Sequence, residues 1–271
     1  MDQTTIEIDN EILNIYSSTK DLKDREILHS QSDYLMDFFN RLDYLAALDI
    51  DDQDVQQMIG TSQKRNMLKS IVRFRDLYSL RLEVEKANSI LDSSDPWNVL
   101  RGFTHFTNYF QLAKTEYEGS ALKQGDCVVF LGSGPLPLSL IILCHYHGLN
   151  GMGIEQEPDR VELSRKVIKK LGLSDQIRII DGNHFTLPLS SKCDLLMVAA
   201  AAQPKTEVFA HLADAVPPRA KLSYRLYEKG LRRLLEIPAV VTLPEMFEEY
   251  LRIRPRPPVN NTVVFLTKVV S

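Results

Sequence analysis

From residue 121 onward the chain repeats one pattern: a short apolar run, a turn, a helical stretch. The runs CVVFL, GMGIE, IRII and DLLMVAA have strand length. PLSLIILCHYHG, PDRVELSRKVIKKLG and KTEVFAHLADAV separate them with helical spacing. Fully apolar strands alternating with helices require a parallel sheet covered on both faces. The later runs KLSYRLY and NTVVFLTKVV, the second after PRPPV, predict further strands with an antiparallel edge. The fold class is therefore α/β.

The first 120 residues read differently. Apolar residues recur at three and four, as in YLMDFFNRLDYLAAL. Gly60, Gly102 and Gly119 are the glycines of this half. A hydroxyl at Thr61 or Ser62 suits the start of a long helix reaching about Leu91. In DSSDPWNVL, Asp95 suits an N-cap and Pro96 a first helical turn, where a missing N–H is harmless. The expected organisation is a helical domain over 1–120 and a sheet domain over 121–271.

Composition narrows the function classes. The 271 residues are 44% hydrophobic and 25% charged, which predicts a packed core. The net charge of −4 argues against nucleic acid or an anionic membrane as partner. Apolar runs are too short to span a bilayer. The opening MDQTTIEIDN is acidic and polar where a secretory signal would be basic and then apolar. Cys127, Cys144 and Cys193 show no CxxC spacing, which fits buried thiols in a reducing cytoplasm. Small molecules are the expected partners, and homo-oligomerisation is left open.

The candidate ligand site begins in VVFLGSGPLPLSLIIL, a buried strand running through a tight turn into a helix. Gly132 and Gly134 permit positive φ and close approach of a ligand to the backbone. A diphosphate loop offers free N–H groups at the helix start. Pro135 and Pro137 have none, so the turn suits a ligand without phosphate. Glu155 ends the next strand about 20 residues on, where a carboxylate accepts ribose hydroxyls. Asp181 or Asn183 after the third strand would read the adenine amino group, and Phe185 would pack on its ring. Ser133 and Ala199 complete the set. These features fit S-adenosylmethionine (SAM) better than NAD.

Here GSGPLPLS resembles the nicotianamine synthase signature, as do SSDPWNVLRGF, DLLMVAAAAQPK, YRLY and VNNT. The resemblance runs from about residue 60 to the end. It implies an all-α helical bundle ahead of a class I SAM-methyltransferase-like Rossmann domain. It also implies transfer of the 3-amino-3-carboxypropyl (aminobutyrate) arm of SAM to an amine, with release of methylthioadenosine. The product would be nicotianamine or a similar metallophore precursor. Bacterial relatives add one such unit to an amino acid such as histidine.

That chemistry needs an unprotonated amine in line with the γ-methylene of SAM, and so a nearby base. The leaving thioether is neutral and calls for no metal. Glu83 lies on a mostly apolar helical stripe with Val72, Leu80, Ala87 and Ile90, while Glu85 points away beside Arg81. The resemblance places Glu83 at the family's catalytic glutamate and Tyr109 at its substrate-facing tyrosine. Trp97, Phe103, Phe106 and Phe110 read as core.

For the substrate carboxylate the expected clamp is Arg225, flanked by Tyr224, with His105 nearby; strand alternation alone leaves Arg225's facing undecided. His145 and His147 point to different helix faces and make a poor metal pair. No metal is expected. The competing readings are a SAM-dependent methyltransferase acting on a small molecule and a non-catalytic SAM-binding scaffold.

Overall fold

The computed structural model describes residues 3–29, 33–48, 50–51, 53, 55, 62–188, 193–228, 231–232, 243–256 and 259–269. They form two compact units, Met1–Leu82 with Tyr227–Ala239, and Glu83–Leu226 with Val240–Ser271.

The first unit is helical. It contains α1 (Gln3–Thr19), α2 (Asp24–His29), α3 (Tyr34–Ala47) and the leading part of α4 (Ser62–Asp92). Ile8, Ile12 and Ile15 of α1 recur at four and three and bury against Leu42 and Leu45 of α3 and Leu68 and Ile71 of α4. A second cluster joins Ile27, Leu35, Phe39, Phe74 and Tyr78. Arg41 forks onto Glu11 at 2.5 and 2.8 Å across the first two long helices. Of the two expected hydroxyl caps of α4, Thr61 lies outside the described residues and Ser62 is the helix's first residue.

The second unit starts with the end of α4. Asp95 then caps α5 (Pro96–Arg101) by accepting the amide of Asn98 at 3.1 Å, with Pro96 in the first turn. α6 follows (Phe106–Gly119). The sheet has strands β1 (Cys127–Leu131), β2 (Asn150–Glu155), β3 (Ile177–Asp181), β4 (Leu195–Val198), β5 (Lys221–Leu226), β6 (Phe247–Ile253) and β7 (Thr262–Lys268). Their order is β3-β2-β1-β4-β5-β7-β6. The first five are parallel, β7 runs antiparallel beside β5, and β6 forms the antiparallel edge. Helices α7 (Leu138–His147), α8 (Pro158–Lys170) and α9 (Lys205–Ala215) connect the parallel strands. This is the class I SAM-methyltransferase-like Rossmann fold.

The compact division falls inside α4, between Leu82 and Glu83. α6 is seated on the sheet: a Cβ on Gly119 would run into the Phe265 ring. Leu112 shares an apolar cluster with Val263 and Phe265. The segment FEEYLRI was not read as a strand. Its glutamates and Tyr250 are exposed, as befits a polar edge that discourages further pairing.

The strands' two faces are sorted residue by residue. Val129, Leu131, Leu222, Tyr224, Leu226, Val264 and Leu266 share the cluster of Val208, Phe209 and Leu212 of α9. The alternate residues of β5, Ser223 and Arg225, therefore face away from α9.

Candidate active site

The glycine turn is built so that its backbone donors are used internally. Gly132 and Gly134 adopt φ of +80° and +73°. The amides of Gly132 and Ser133 both donate to the Ile154 carbonyl, at 2.9 and 3.1 Å. The Gly134 amide donates to Glu155 Oε2 at 3.0 Å. Pro135 and Pro137 have no N–H, and Pro137 stands just ahead of the first residue of α7. No amide among these five positions is left for an anion.

Glu155 is 5% exposed at the tip of β2. Its Oε1 accepts from the amides of Gln156 and Glu157, each at 3.0 Å, and Arg160 stands 3.9 Å away. A carboxylate offers about four acceptor positions. Three are taken here by amides, so the group is held rigidly.

Asp181 pairs in register with Glu155 and is exposed. Asn183 is engaged locally: its side chain accepts the Phe185 amide at 2.9 Å, and its own amide donates to Thr186 Oγ1 at 2.8 Å. That capping box starts a 3-10 turn, His184–Thr186, which presents the 57% exposed Phe185. The Phe185 ring lies 4.0 Å from His184 and 4.9 Å from His211 by centroid. His184 in turn stands 3.4 Å from Glu207. Ala199 donates to the Leu131 carbonyl at 3.0 Å, and its Cβ is 3.2 Å from where a Cβ on Gly132 would stand.

Glu83 is half-buried and Glu85 is exposed, on one helix. Glu83 Oε2 lies 3.0 Å from the position of a Cβ on Gly134. A carboxylate on α4 thus rests directly on the glycine turn. Tyr109, in the first turn of α6, is half-buried, and His105 precedes that helix with its ring edge-on to Phe103 at 5.3 Å.

The structure corrects two expectations. Arg225 is 4% exposed and does not stand ready for a substrate carboxylate. Its Nε and Nη2 donate to the two oxygens of Glu116, at 2.9 and 2.6 Å, and Nη2 also donates to Ser139 Oγ at 2.8 Å. A guanidinium already forked by a carboxylate has little to offer a second one. Tyr224 points to the opposite face, packed edge-on against Phe209 at 5.1 Å in the α9 cluster. Sequence reasoning missed Glu116, Ser139 and Lys205. Lys205 is buried and donates to the Ala200 carbonyl at 2.6 Å, bracing the turn after β4. Each looks like an ordinary polar helix residue until its distant partner is known.

His145 stacks on Trp97 at 4.0 Å and His147 on Tyr117 at 4.2 Å, so their partners differ. Burial holds both imidazoles below their ordinary pKa. Among the described residues no group of three His, Cys, Asp or Glu side chains could hold a metal ion. Among them, too, no helix is long and apolar enough to cross a membrane.

Comparison with known proteins gives a consistent assignment. The family model described as "Nicotianamine synthase protein" matches residues 1–271. The L-histidine 2-aminobutanoyltransferase of Yersinia pestis is 26% identical over 134 residues, 49% of each chain. The chain spans about half the length of the curated relatives it matches. Among solved structures, a glutamate-to-glutamine mutant of MtNAS in complex with S-adenosylmethionine is 30% identical, with a TM-score of 0.87. That match covers 97% of this chain and 98% of the other. MtNAS in complex with MTA and tNA matches with a TM-score of 0.85, 30% identity and coverage of 98% and 97%.

Proposed function

The chain belongs to the nicotianamine synthase family, and from that premise we propose that it transfers the aminocarboxypropyl arm of SAM to an amine. The single observation that carries this reading is the contact between Glu83 and the Gly134 turn. A side-chain base beside the nucleoside loop is what amine alkylation requires and what simple nucleoside binding does not.

In the proposed reaction the acceptor nitrogen attacks the γ-methylene of SAM. The carbon–sulfur bond breaks, its electron pair stays on sulfur, and neutral methylthioadenosine leaves. Glu83 takes the proton from the nitrogen. Glu155 holds the ribose, Asp181 or Asn183 with Phe185 the adenine, and Gly132, Ser133, Gly134, Pro135 and Ala199 form the wall. The committed amides and the two prolines support a cationic, phosphate-free nucleoside. Tyr109 orients the amine, and His105 contributes to the acceptor side. In this reading Glu83, His105 and Tyr109 supply the acceptor side and residues 121–271 the SAM side.

The complexes of MtNAS with S-adenosylmethionine and with MTA support SAM as substrate and methylthioadenosine as product. The Yersinia relative, an L-histidine 2-aminobutanoyltransferase, supports an amino acid as acceptor; a nicotianamine-like metallophore precursor is the proposed product. No metal takes part in the proposed step, since a neutral leaving group needs no Lewis acid. The reading requires neither membrane nor nucleic acid, admits a homo-oligomer, and fits the reducing cytoplasm suggested by three free cysteines.

The test is product analysis by mass. SAM is incubated alone and with glutamate, histidine and other amino acids. Methylthioadenosine with a condensed aminobutyrate product is expected, and Glu83→Gln should lower its formation by about two to four orders of magnitude. S-adenosylhomocysteine with a methylated acceptor would overturn the reading in favour of methyl transfer.

A further inference from the structure

The Glu116–Arg225–Ser139 cluster lies outside the residues assigned above, and its connections are specific. Arg225 comes from β5, Glu116 from the last part of α6, and Ser139 from the first turn of α7. The guanidinium also lies 4.9 Å over the ring of Phe130, in β1. Phe130 and Ser139 bracket the glycine turn, two residues before Gly132 and two after Pro137. One side chain therefore touches the strand entering the turn, the helix leaving it, and α6.

α6 is the helix that carries Tyr109. Tyr109 and Glu116 are seven residues apart, which places them on nearly the same stripe, about 10 Å apart along the axis. The other end of α6 is also tied: the Asn260 amide donates to Asn108 Oδ1 at 3.1 Å. The Glu116 end reaches the turn's own helix through Arg225, which bonds Ser139 as well.

Stability alone does not explain such a pair. Glu116 is fully buried and Arg225 nearly so. Desolvating two charges offsets much of their attraction, and apolar pairs of similar volume are often as stable or more so. A bidentate fork does provide geometry, because it fixes both distance and orientation.

We infer that Arg225 is a positioning residue for the transfer, holding α6 and its Tyr109 in register with the glycine turn. This rests on the aminocarboxypropyl-transfer reading. In-line attack on one of three activated carbons is sensitive to small displacements, and about 1 Å of misplacement can lower a rate by two orders of magnitude.

The experiment first confirms methylthioadenosine release by the wild type; if none appears with any acceptor, the reading itself fails. It then compares Arg225→Lys, which keeps the charge without the fork, with the double variant Glu116→Leu/Arg225→Met, which replaces the pair by apolar side chains. Melting temperature, kcat, KM for SAM and the ratio of methylthioadenosine to S-adenosylhomocysteine are measured. The double variant should melt within a few degrees of wild type. Its kcat should still fall on the order of 10- to 100-fold, with KM for SAM changed less than about threefold. Arg225→Lys should show the same split more mildly. Wild-type kcat in either variant, or a loss confined to KM, would overturn the proposal. Should the double variant fail to fold, the kcat of Arg225→Lys decides.

Discussion

Gly134 is held between two carboxylates: its amide donates to Glu155 at 3.0 Å, and Glu83 Oε2 lies 3.0 Å from where its Cβ would be. The first carboxylate belongs to the proposed ribose site and the second is the proposed base. A single residue without a side chain thus joins the two halves of the chemistry. Its φ of +73° adds a conformational reason for glycine.

Gly134→Ala should therefore impair function more than stability. The left-handed backbone costs about 1–2 kcal/mol. The new methyl also displaces the end of the Glu83 side chain, which is flexible enough for the fold to survive. Turnover is expected to fall at least tenfold, by analogy with other small displacements of catalytic groups. Gly125→Ala is the matched control, with φ of +87° and nothing within 4 Å of its Cβ. It should lower the melting temperature similarly and leave kcat unchanged. Equal kcat losses in both variants would remove the special role of the Glu83 contact.

Glu155→Gln keeps the shape of the side chain but weakens its acceptance of three amides. SAM affinity, measured by calorimetry, should drop by about 10- to 100-fold, matching a charge-assisted hydrogen bond of roughly 1.5–3 kcal/mol. The effect should appear mainly in KM, because the group holds the ribose in ground and transition states alike. A pure kcat effect would contradict this.

Tyr109→Phe removes one hydroxyl and little volume. Turnover should fall about tenfold with SAM binding retained, as for a group that orients the acceptor. Full turnover would exclude a role for the hydroxyl.

Two thiols make a pH prediction. Burial pushes Cys144 and Cys193 up to about 12 from an ordinary 9.0. A raised folded pKa means stability that is fully present below the unfolded value and is lost as pH rises through the folded one. Melting temperature should fall progressively from about pH 9 upward, and a Cys144→Ala/Cys193→Ala variant should show a shallower fall. At pH 8 the buried Cys144 should resist alkylation until the protein unfolds, with half-buried Cys127 reacting earlier. Rapid modification of Cys144 in the native protein would contradict the burial argument.

The parallel strands, their helices and the glycine turn were legible in the sequence. Each rests on interactions among neighbouring residues: apolar period, the missing N–H of proline, the positive φ of glycine. The Asp95 cap, in which the carboxylate accepts the Asn98 amide, was legible for the same reason. β6 was not. An exposed polar edge strand carries little apolar signal and exists because β7 offers it a ladder.

Arg225 marks the boundary between the two kinds of knowledge. By itself the sequence determined that a strand would run through SYRLY, and a strand sends successive side chains to opposite faces. It did not determine which face was which. That depended on Glu116, 109 residues earlier, and on Ser139, 86 residues earlier, being brought to one guanidinium. A charge buried in a protein is tolerable only where its partners are, and partners so distant in sequence meet only through the tertiary fold.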